Sequence, residues 1–324
     1  MPIFSLDSGK LKEISDLPFK LEKDLQETVE KNLDVIFGLE FVSSEFQLQG
    51  LRIDTLAYDK DSDSFVIIEY KREKSSSVVD QGLAYLSLLL NNKAEFILLY
   101  NEHSSDKLRK DDVDWSQSKV IFIANSFTAY QKQALGFKDL PIELWEVKQY
   151  SNKTMLFNQV QSAEKTESIN KLSTKSEVVR SVSREIKTYT EEYHFEKNGS
   201  QQTREFYEEI KQRILSLGDN IEIVIRKKYI AFKSNYNFVY INFQRNNLYA
   251  DLSIHESEVE DPKHVIRNME GIGHYGAGQS RVTINDKSQI PYLMGLIEQS
   301  YTKSIKDKLT PAQKGHGKHE NEIH

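Results

Sequence analysis

The chain contains no cysteine in 324 residues. That absence removes disulfides, thiolate zinc sites and cysteine nucleophiles from consideration, and a reducing, cytoplasmic setting fits it. No apolar run approaches the roughly 18 to 20 residues that a membrane-spanning helix requires. The N-terminus, MPIFSLDSGKLKEI, lacks a basic region followed by a long apolar one, so no secretory signal is expected. No internal repeat is visible. Nor is there an excess of positive charge: 43 Lys and Arg stand against 49 Asp and Glu, a formal net charge of -6. Phosphate contacts are made by Lys and Arg, so this sum does not favour a nucleic-acid binder. Distribution matters more than the sum, because a cation bound at an acidic site inverts the local charge.

What is present suits a soluble globular protein, with 38% hydrophobic and 28% charged residues. The length allows two domains of ordinary size. Residues 1–157 are expected to form an α/β domain with a mixed central sheet flanked by helices. Leu21, Leu25, Val29, Leu33 and Ile36, spaced by three or four, predict a helix over 18–36. Strands are expected at 41–48, 52–58 and 65–71. SSSVVDQGLAYLSLLLNN then reads as a helix capped by a serine at 75–77. Strands at 96–100, 119–124 and 143–147 follow, with a helical turn near 127–135 between the last two.

Residues 158–202 are polar and rich in Ser, Thr, Lys and Glu, and read as a partly helical linker. A smaller α+β domain is expected over 203–303. It opens with the helix TREFYEEIKQRILSL, stopped by Gly218, and continues as an antiparallel meander of four strands. A short helix HVIRNM, a strand RVTIN and a closing helix IPYLMGLIEQSY complete it. The polar tail 304–324 is expected to be disordered.

The chemistry concentrates in RIDTLAYDKDSDSFVIIEYKR, residues 52–72. Asp54 opens one apolar, strand-like run, and the next ends in Glu69 and Lys71. Side chains alternate along a strand, so Glu69 and Lys71 share a face, about 7 Å apart along the chain. A hairpin pairing brings Asp54 beside them. Two carboxylates and an ammonium on neighbouring strands make a metal site with a lysine ready to orient or activate a water, as phosphodiester hydrolysis needs.

The region around these residues resembles the PD-(D/E)xK nuclease superfamily, in its RecB-like and NucS-like branches. Ile53-Asp54 stands where many members have Pro-Asp, and Glu69-Tyr70-Lys71 matches the E-x-K half. Gln81 and Tyr85 resemble the Q-x-x-x-Y motif of the RecB-like branch. Glu22, in Glu22-Lys23-Asp24-Leu25, resembles the helical Glu ahead of the strands, with Glu27 and Glu30 as rivals on that helix. Residues 113–131 are similar to uncharacterised bacterial members. The resemblance covers about residues 18–150; the C-terminal part resembles a domain of unknown function found at the end of such proteins.

The resemblance implies a restriction-endonuclease-like fold and a role for each residue. Asp54 and Glu69 would bind Mg²⁺ or Mn²⁺ through oxygen, with the Tyr70 backbone carbonyl as a further ligand. Glu22 would complete the site or hold a water. Lys71 would position the attacking water and stabilise charge near the phosphate. Gln81 and Tyr85, four apart on one helix face, would orient the site or touch the nucleic-acid backbone. Arg72, Lys74 and Tyr85 are the expected nucleic-acid contacts. The implied function is a metal-dependent DNA endonuclease of repair or defence, with a hint of single-stranded, branched or mismatched substrates. Cutting two strands takes two sites or two visits, which makes a homodimer one expectation. A binding protein on a nuclease core that no longer cuts, or a nuclease acting on RNA, are the alternatives.

Other signals carry less. Asp59, Asp61 and Asp63 mimic the start of a calcium loop, but its twelfth position is Tyr70 rather than Glu, so a hairpin turn is expected. Gly271, Gly273 and Gly276 satisfy G-x-G-x-x-G, yet follow a short helix and precede a strand, the reverse of the dinucleotide-binding context. Arg226, Lys227 and Lys228 read as charges at a hairpin turn. The aromatics of residues 229–249 read as the core face of a sheet.

Overall fold

The structure is a computed structural model and describes residues 2–17, 19, 22–71, 77–133, 140–161, 177–272, 276 and 278–306. The chain divides into two compact units, 1–188 and 189–324. The first opens with a separate two-stranded sheet, β1 (Ile3–Asp7) and β2 (Lys10–Ile14). Its turn residues Ser8 and Gly9 both have positive φ, as a tight two-residue hairpin of this twist requires. Next come β3 (Asp16–Leu17), α1 (Glu22–Glu30), α2 (Leu33–Ile36), β4 (Glu40–Leu48), β5 (Leu51–Asp59) and β6 (Ser64–Lys71). They are followed by α3 (Val78–Asn91), α4 (Lys93–His103), β7 (Lys119–Ala124), α5 (Ala129–Gln133), β8 (Ile142–Tyr150), β9 (Met155–Gln159) and α6 (Glu177–Glu185).

The main sheet runs β3-β8-β7-β6-β5-β4, with β9 also paired to β8. It is mixed: β4, β5 and β6 are antiparallel, whereas β6, β7 and β8 are parallel. Leu56, Phe65, Ile67 and Phe122 pack on one face under Leu86 of α3 and Phe96 of α4. Val66, Ile68 and Ile123 pack on the other with Leu25 and Val29 of α1. Helices on both faces explain why Phe65-Val66-Ile67-Ile68 reads as an unbroken apolar run instead of an alternating one. Apart from Ser64 at its start, the polar residues of β6 stand at its carboxyl end, so the charged Glu69 and Lys71 stand out against a strand largely given over to packing.

Three of the expected elements take a different form in the structure. The run 96–100, expected to be a strand, lies within helix α4. A five-residue apolar run does not distinguish the two by periodicity; here the helix buries Phe96 and Tyr100, four apart, and turns Leu98 outward. Phe96 then meets Phe46 and Phe65, with ring centroids 5.6 and 5.9 Å away, and Tyr100 meets Tyr58 at 4.9 Å. The helix expected over 18–36 is broken between α1 and α2, because Asn32 Nδ2 donates to the Thr28 carbonyl at 2.7 Å and displaces the backbone donor that would continue it. HVIRNM is not a helix. His264 has φ 52°, outside the helical region, and the chain continues into the short strand β14.

The second unit comprises α7 (Glu191–Asn198), α8 (Gln201–Leu215), β10 (Glu222–Ile225), β11 (Ile230–Lys233), β12 (Asn237–Phe243), β13 (Leu248–Leu252), β14 (Arg267–Asn268), β15 (Ser280–Ile284) and α9 (Ile290–Lys306). Its sheet is antiparallel throughout, in the order β10-β11-β12-β13-β15-β14. Ile230, Phe232, Val239 and Ile241 on one face pack with Tyr207 and Ile210 of α8 and Leu293 and Ile297 of α9. Thus α6 closes the first unit and α7 opens the second, both inside the segment read as a linker. Helix α9 extends to Lys306, beyond the expected start of the tail; 307–324 lie outside the described residues.

Candidate active site

The antiparallel ladder between β5 and β6 runs from Asp59↔Ser64 to Thr55↔Ile68 and stops there. One residue further, side chains take over from backbone partners. The Asp54 N–H donates to Glu69 Oε1 at 3.0 Å, and the Tyr70 N–H donates to Asp54 Oδ2 at 3.2 Å. The strands part, and each carboxylate fills the place of a ladder carbonyl. Two acids 15 residues apart in sequence therefore face one another in a nearly closed setting, the Glu69 side chain 2% exposed and that of Asp54 15%. Lys71, on the same face as Glu69, brings Nζ to 3.7 Å from Glu69 Oε2. Arg52, largely exposed, reaches Asp54 Oδ1 at 3.6 Å and Glu45 at 3.1 Å.

Helices clamp this point from both sides of the sheet. Ser77 caps α3 by accepting the Asp80 N–H, which fixes the helix start just beyond β6. From α3, Gln81 Nε2 donates to Glu69 Oε2 at 3.4 Å and to the Tyr85 hydroxyl at 3.2 Å. The Tyr85 hydroxyl donates to the Arg52 carbonyl at 2.8 Å. From α1, buried Gln26 shares its Nε2 hydrogens among the Asp54 carbonyl (2.9 Å), Ser44 Oγ (3.0 Å) and Glu30 Oε1 (3.0 Å). Thr55 Oγ1 donates to the same Glu30 oxygen at 2.6 Å.

Burial pushes the Glu69 carboxyl up to about 7, and the neighbouring Asp54 charge adds to the effect against the opposing pull of the Asp54 N–H and Lys71. Burial likewise raises Asp54, although the Tyr70 N–H, Lys71 and Arg52 act the other way. Burial and the Glu69 charge raise the Tyr85 hydroxyl. A raised carboxyl means that the surroundings compensate its negative charge less well than water does. The pair is short of positive charge.

Among the described residues, no three His, Cys, Asp or Glu side chains gather as a metal-binding group. The oxygens available here are the two carboxylates and a backbone carbonyl. In an extended strand the N–H and C=O of one residue project to the same edge, so the Tyr70 carbonyl projects toward Asp54 as its N–H does. An all-oxygen set with too little positive charge fits a hard divalent cation.

Of the residues named from sequence, the structure brings together Asp54, Glu69, Lys71, Gln81 and Tyr85. Glu22 is exposed at the start of α1, and no hydrogen bond or ion pair among the described residues joins it to them. The α1 side chains that reach β5 are Gln26 and Glu30. Gln26 carried a usable signal: it is a polar residue beside the buried Leu25 and Val29. Arg72 and Lys74 lie outside the described residues. The Asp-rich segment is a hairpin turn, in which Asp59 Oδ1 accepts the N–H groups of Asp61 and Ser62.

Over 300 residues the chain is 43% identical to an uncharacterized protein of Haemophilus influenzae, spanning 93% of this chain and 99% of that one. The two proteins belong to one family. Residues 191–304 of this family member match a domain of unknown function, DUF5655, which takes in α7 through most of α9. Among solved structures, the chain is similar to an EndoMS–dsDNA complex at 20% identity and a TM-score of 0.24, over 41% of this chain and 47% of that one. A repair endonuclease from Pyrococcus abyssi gives 20% identity and a TM-score of 0.24, over 41% and 50%. Pyrococcus furiosus SfsA in complex with Ca²⁺ gives 15% identity and a TM-score of 0.26, over 48% and 67%. No helix of the described residues is long and apolar enough to cross a membrane.

Proposed function

We propose that the first unit is a PD-(D/E)xK-type nuclease with a restriction-endonuclease-like core, hydrolysing DNA phosphodiester bonds as an endonuclease that depends on Mg²⁺ or Mn²⁺. One observation carries the reading: where the β5–β6 ladder parts, Asp54 and Glu69 face each other with Lys71 Nζ 3.7 Å from Glu69. Buried acids without full compensation are unfavourable in a structural role, whereas a cation site requires them. Asp54, Glu69 and the Tyr70 carbonyl would hold the metal. A divalent ion bound there supplies Lewis acidity toward the phosphoryl oxygens and generates a nucleophile at neutral pH. Lys71 orients the attacking water and balances charge developing on the phosphate. Gln81 and Tyr85 hold Glu69 and the Arg52 backbone in register, so the two carboxylates keep their separation. DNA as substrate, and repair or defence as setting, follow from the motif resemblance. The homodimer has no support in this single chain, and the chemistry at one site does not require it.

The test is cleavage of single-stranded, duplex, mismatched and branched DNA with and without Mg²⁺ or Mn²⁺. Asp54→Ala, Glu69→Ala and Lys71→Ala should each abolish cutting while the circular dichroism spectrum is unchanged. Cutting that survives any of the three overturns the mechanism. DNA bound but never cut would favour a recognition protein on a nuclease core.

A further inference from the structure

The sheet of the second unit has a face that its helices do not cover, and one row of side chains crosses it. The register aligns Ala231 with Tyr240, Tyr240 with Asp251, Asp251 with Arg281, and Arg281 with Arg267. Cross-strand partners point to the same face, so the row ends in two arginines placed opposite each other, on β15 and on the edge strand β14. Asp251 is fully buried and grips Arg281 through two short bonds, Nε to Oδ1 at 2.6 Å and Nη2 to Oδ2 at 2.7 Å. Asn242 Nδ2 donates to Asp251 at 3.4 Å from the other side. The Arg281 guanidinium lies 4.5 Å from the centre of the Tyr249 ring.

Glycines press backbone onto part of this row. A Cβ on Gly276 would stand 2.6 Å from the Tyr240 ring, and one on Gly278 would stand 2.5 Å from Asp251 Cβ. The row is closed over Tyr240 and Asp251, leaves 16% of the Arg281 side chain exposed, and opens to solvent at Arg267. Arg267 is exposed, and among the described residues it has no ion-pair partner. Like charges directly opposite across a ladder are unfavourable, and here the one buried carboxylate in the row, Asp251, pairs with Arg281 and leaves the charge of Arg267 uncompensated among the described residues.

We propose that Arg267 and Arg281 form an anion site on the second unit that takes a phosphoryl group. Asp251 holds the Arg281 fork by one edge and leaves Nη1 to the ligand, and Tyr249 fixes the plane of the guanidinium. Arg267 supplies a second, unused fork. One fork saturates a carboxylate, whereas two adjacent forks match the additional oxygens and charge of a phosphoryl group. This inference does not rest on the nuclease reading, since no residue of the first unit enters it.

The experiment is titration of the full-length protein, in chelator and at low salt, with inorganic phosphate, adenosine monophosphate, a short oligothymidylate and acetate. Binding is followed by calorimetry for wild type, Arg267→Ala and Arg281→Lys. Wild type should bind a phosphoryl probe and not acetate. Arg267→Ala should weaken binding by about tenfold or more, as the loss of a charge-assisted contact implies, with an unchanged melting temperature in the absence of ligand. Arg281→Lys keeps the charge and loses the fork, and should also weaken binding. Phosphate and the nucleotide binding alike, with oligothymidylate no tighter, would assign a free phosphate; oligothymidylate binding tighter, and losing that advantage in Arg267→Ala, would assign a nucleic-acid backbone. No binding of any phosphoryl probe, equal binding by acetate, or full affinity in Arg267→Ala overturns the proposal.

Discussion

Glu69→Gln should stabilise the metal-free protein at alkaline pH, although it removes a group expected to be essential for activity. The Glu69 carboxyl rises from 4.5 in the unfolded chain to about 7 in the fold. At about 1.4 kcal/mol per pH unit this is about 3 kcal/mol of instability carried by the ionised form. The sign follows from proton counting. Between pH 4.5 and about 7 the folded carboxyl holds a proton that the unfolded one has lost, so stability falls as pH rises through this window and is level above it. Glutamine removes the charge and keeps an oxygen to accept the Asp54 N–H. Its amide nitrogen, however, meets the Lys71 ammonium and the Gln81 amide, so about 1–2 kcal/mol of the gain remains. Urea unfolding in chelator measures the difference. Both tryptophans, Trp115 and Trp145, lie in the first unit, so their fluorescence reports on that unit alone. The variant should exceed wild type by about 1–2 kcal/mol at about pH 8 and show no advantage at about pH 5. A difference that is the same at both pH values, or a variant weaker at about pH 8 than at about pH 5, would refute the electrostatic account.

Mg²⁺ should stabilise wild type more at about pH 8 than at about pH 5, because ligand carboxyls must lose their protons to bind it, and should do little for Glu69→Gln. Equal stabilisation of wild type at both pH values would count against Glu69 as a ligand. Tyr85→Phe deprives the Arg52 carbonyl of its donor and should lower stability by about 1 kcal/mol; an unchanged urea midpoint would mean that the clamp contributes nothing. Gln26→Leu takes the side-chain donor from the Asp54 carbonyl and leaves Glu30 with Thr55 alone, and should lower stability by about 1–3 kcal/mol. Glu22→Ala, at an exposed position, should stay within about 0.5 kcal/mol of wild type. The reverse order in these two unfolding curves would mean that Glu22, not Gln26, supports the site.

The sequence by itself determined whatever depends on alternation and composition. Glu69 and Lys71 share a face because a strand has a period of two, and no tertiary contact was needed to say so. The strands β4 to β8 were legible from composition, as runs rich in β-branched and aromatic residues, and the helix α3 from its serine cap and the apolar run behind it. Only the tertiary structure decided what depends on who packs against whom. Residues 96–100 are helical because Phe96 and Tyr100 find the same aromatic cluster, a choice that a short apolar run does not express. HVIRNM is not a helix because the backbone bends at His264 and pairs Arg267 with Arg281. The α1 side chains that support Asp54 are Gln26 and Glu30, since the rotation of a helix on a sheet is set by its apolar stripe and not by its acids. Most of all, the parting of β5 from β6 is invisible in sequence. It requires two strands whose ladder fails at one residue, and it turns two ordinary acids into a facing, desolvated pair.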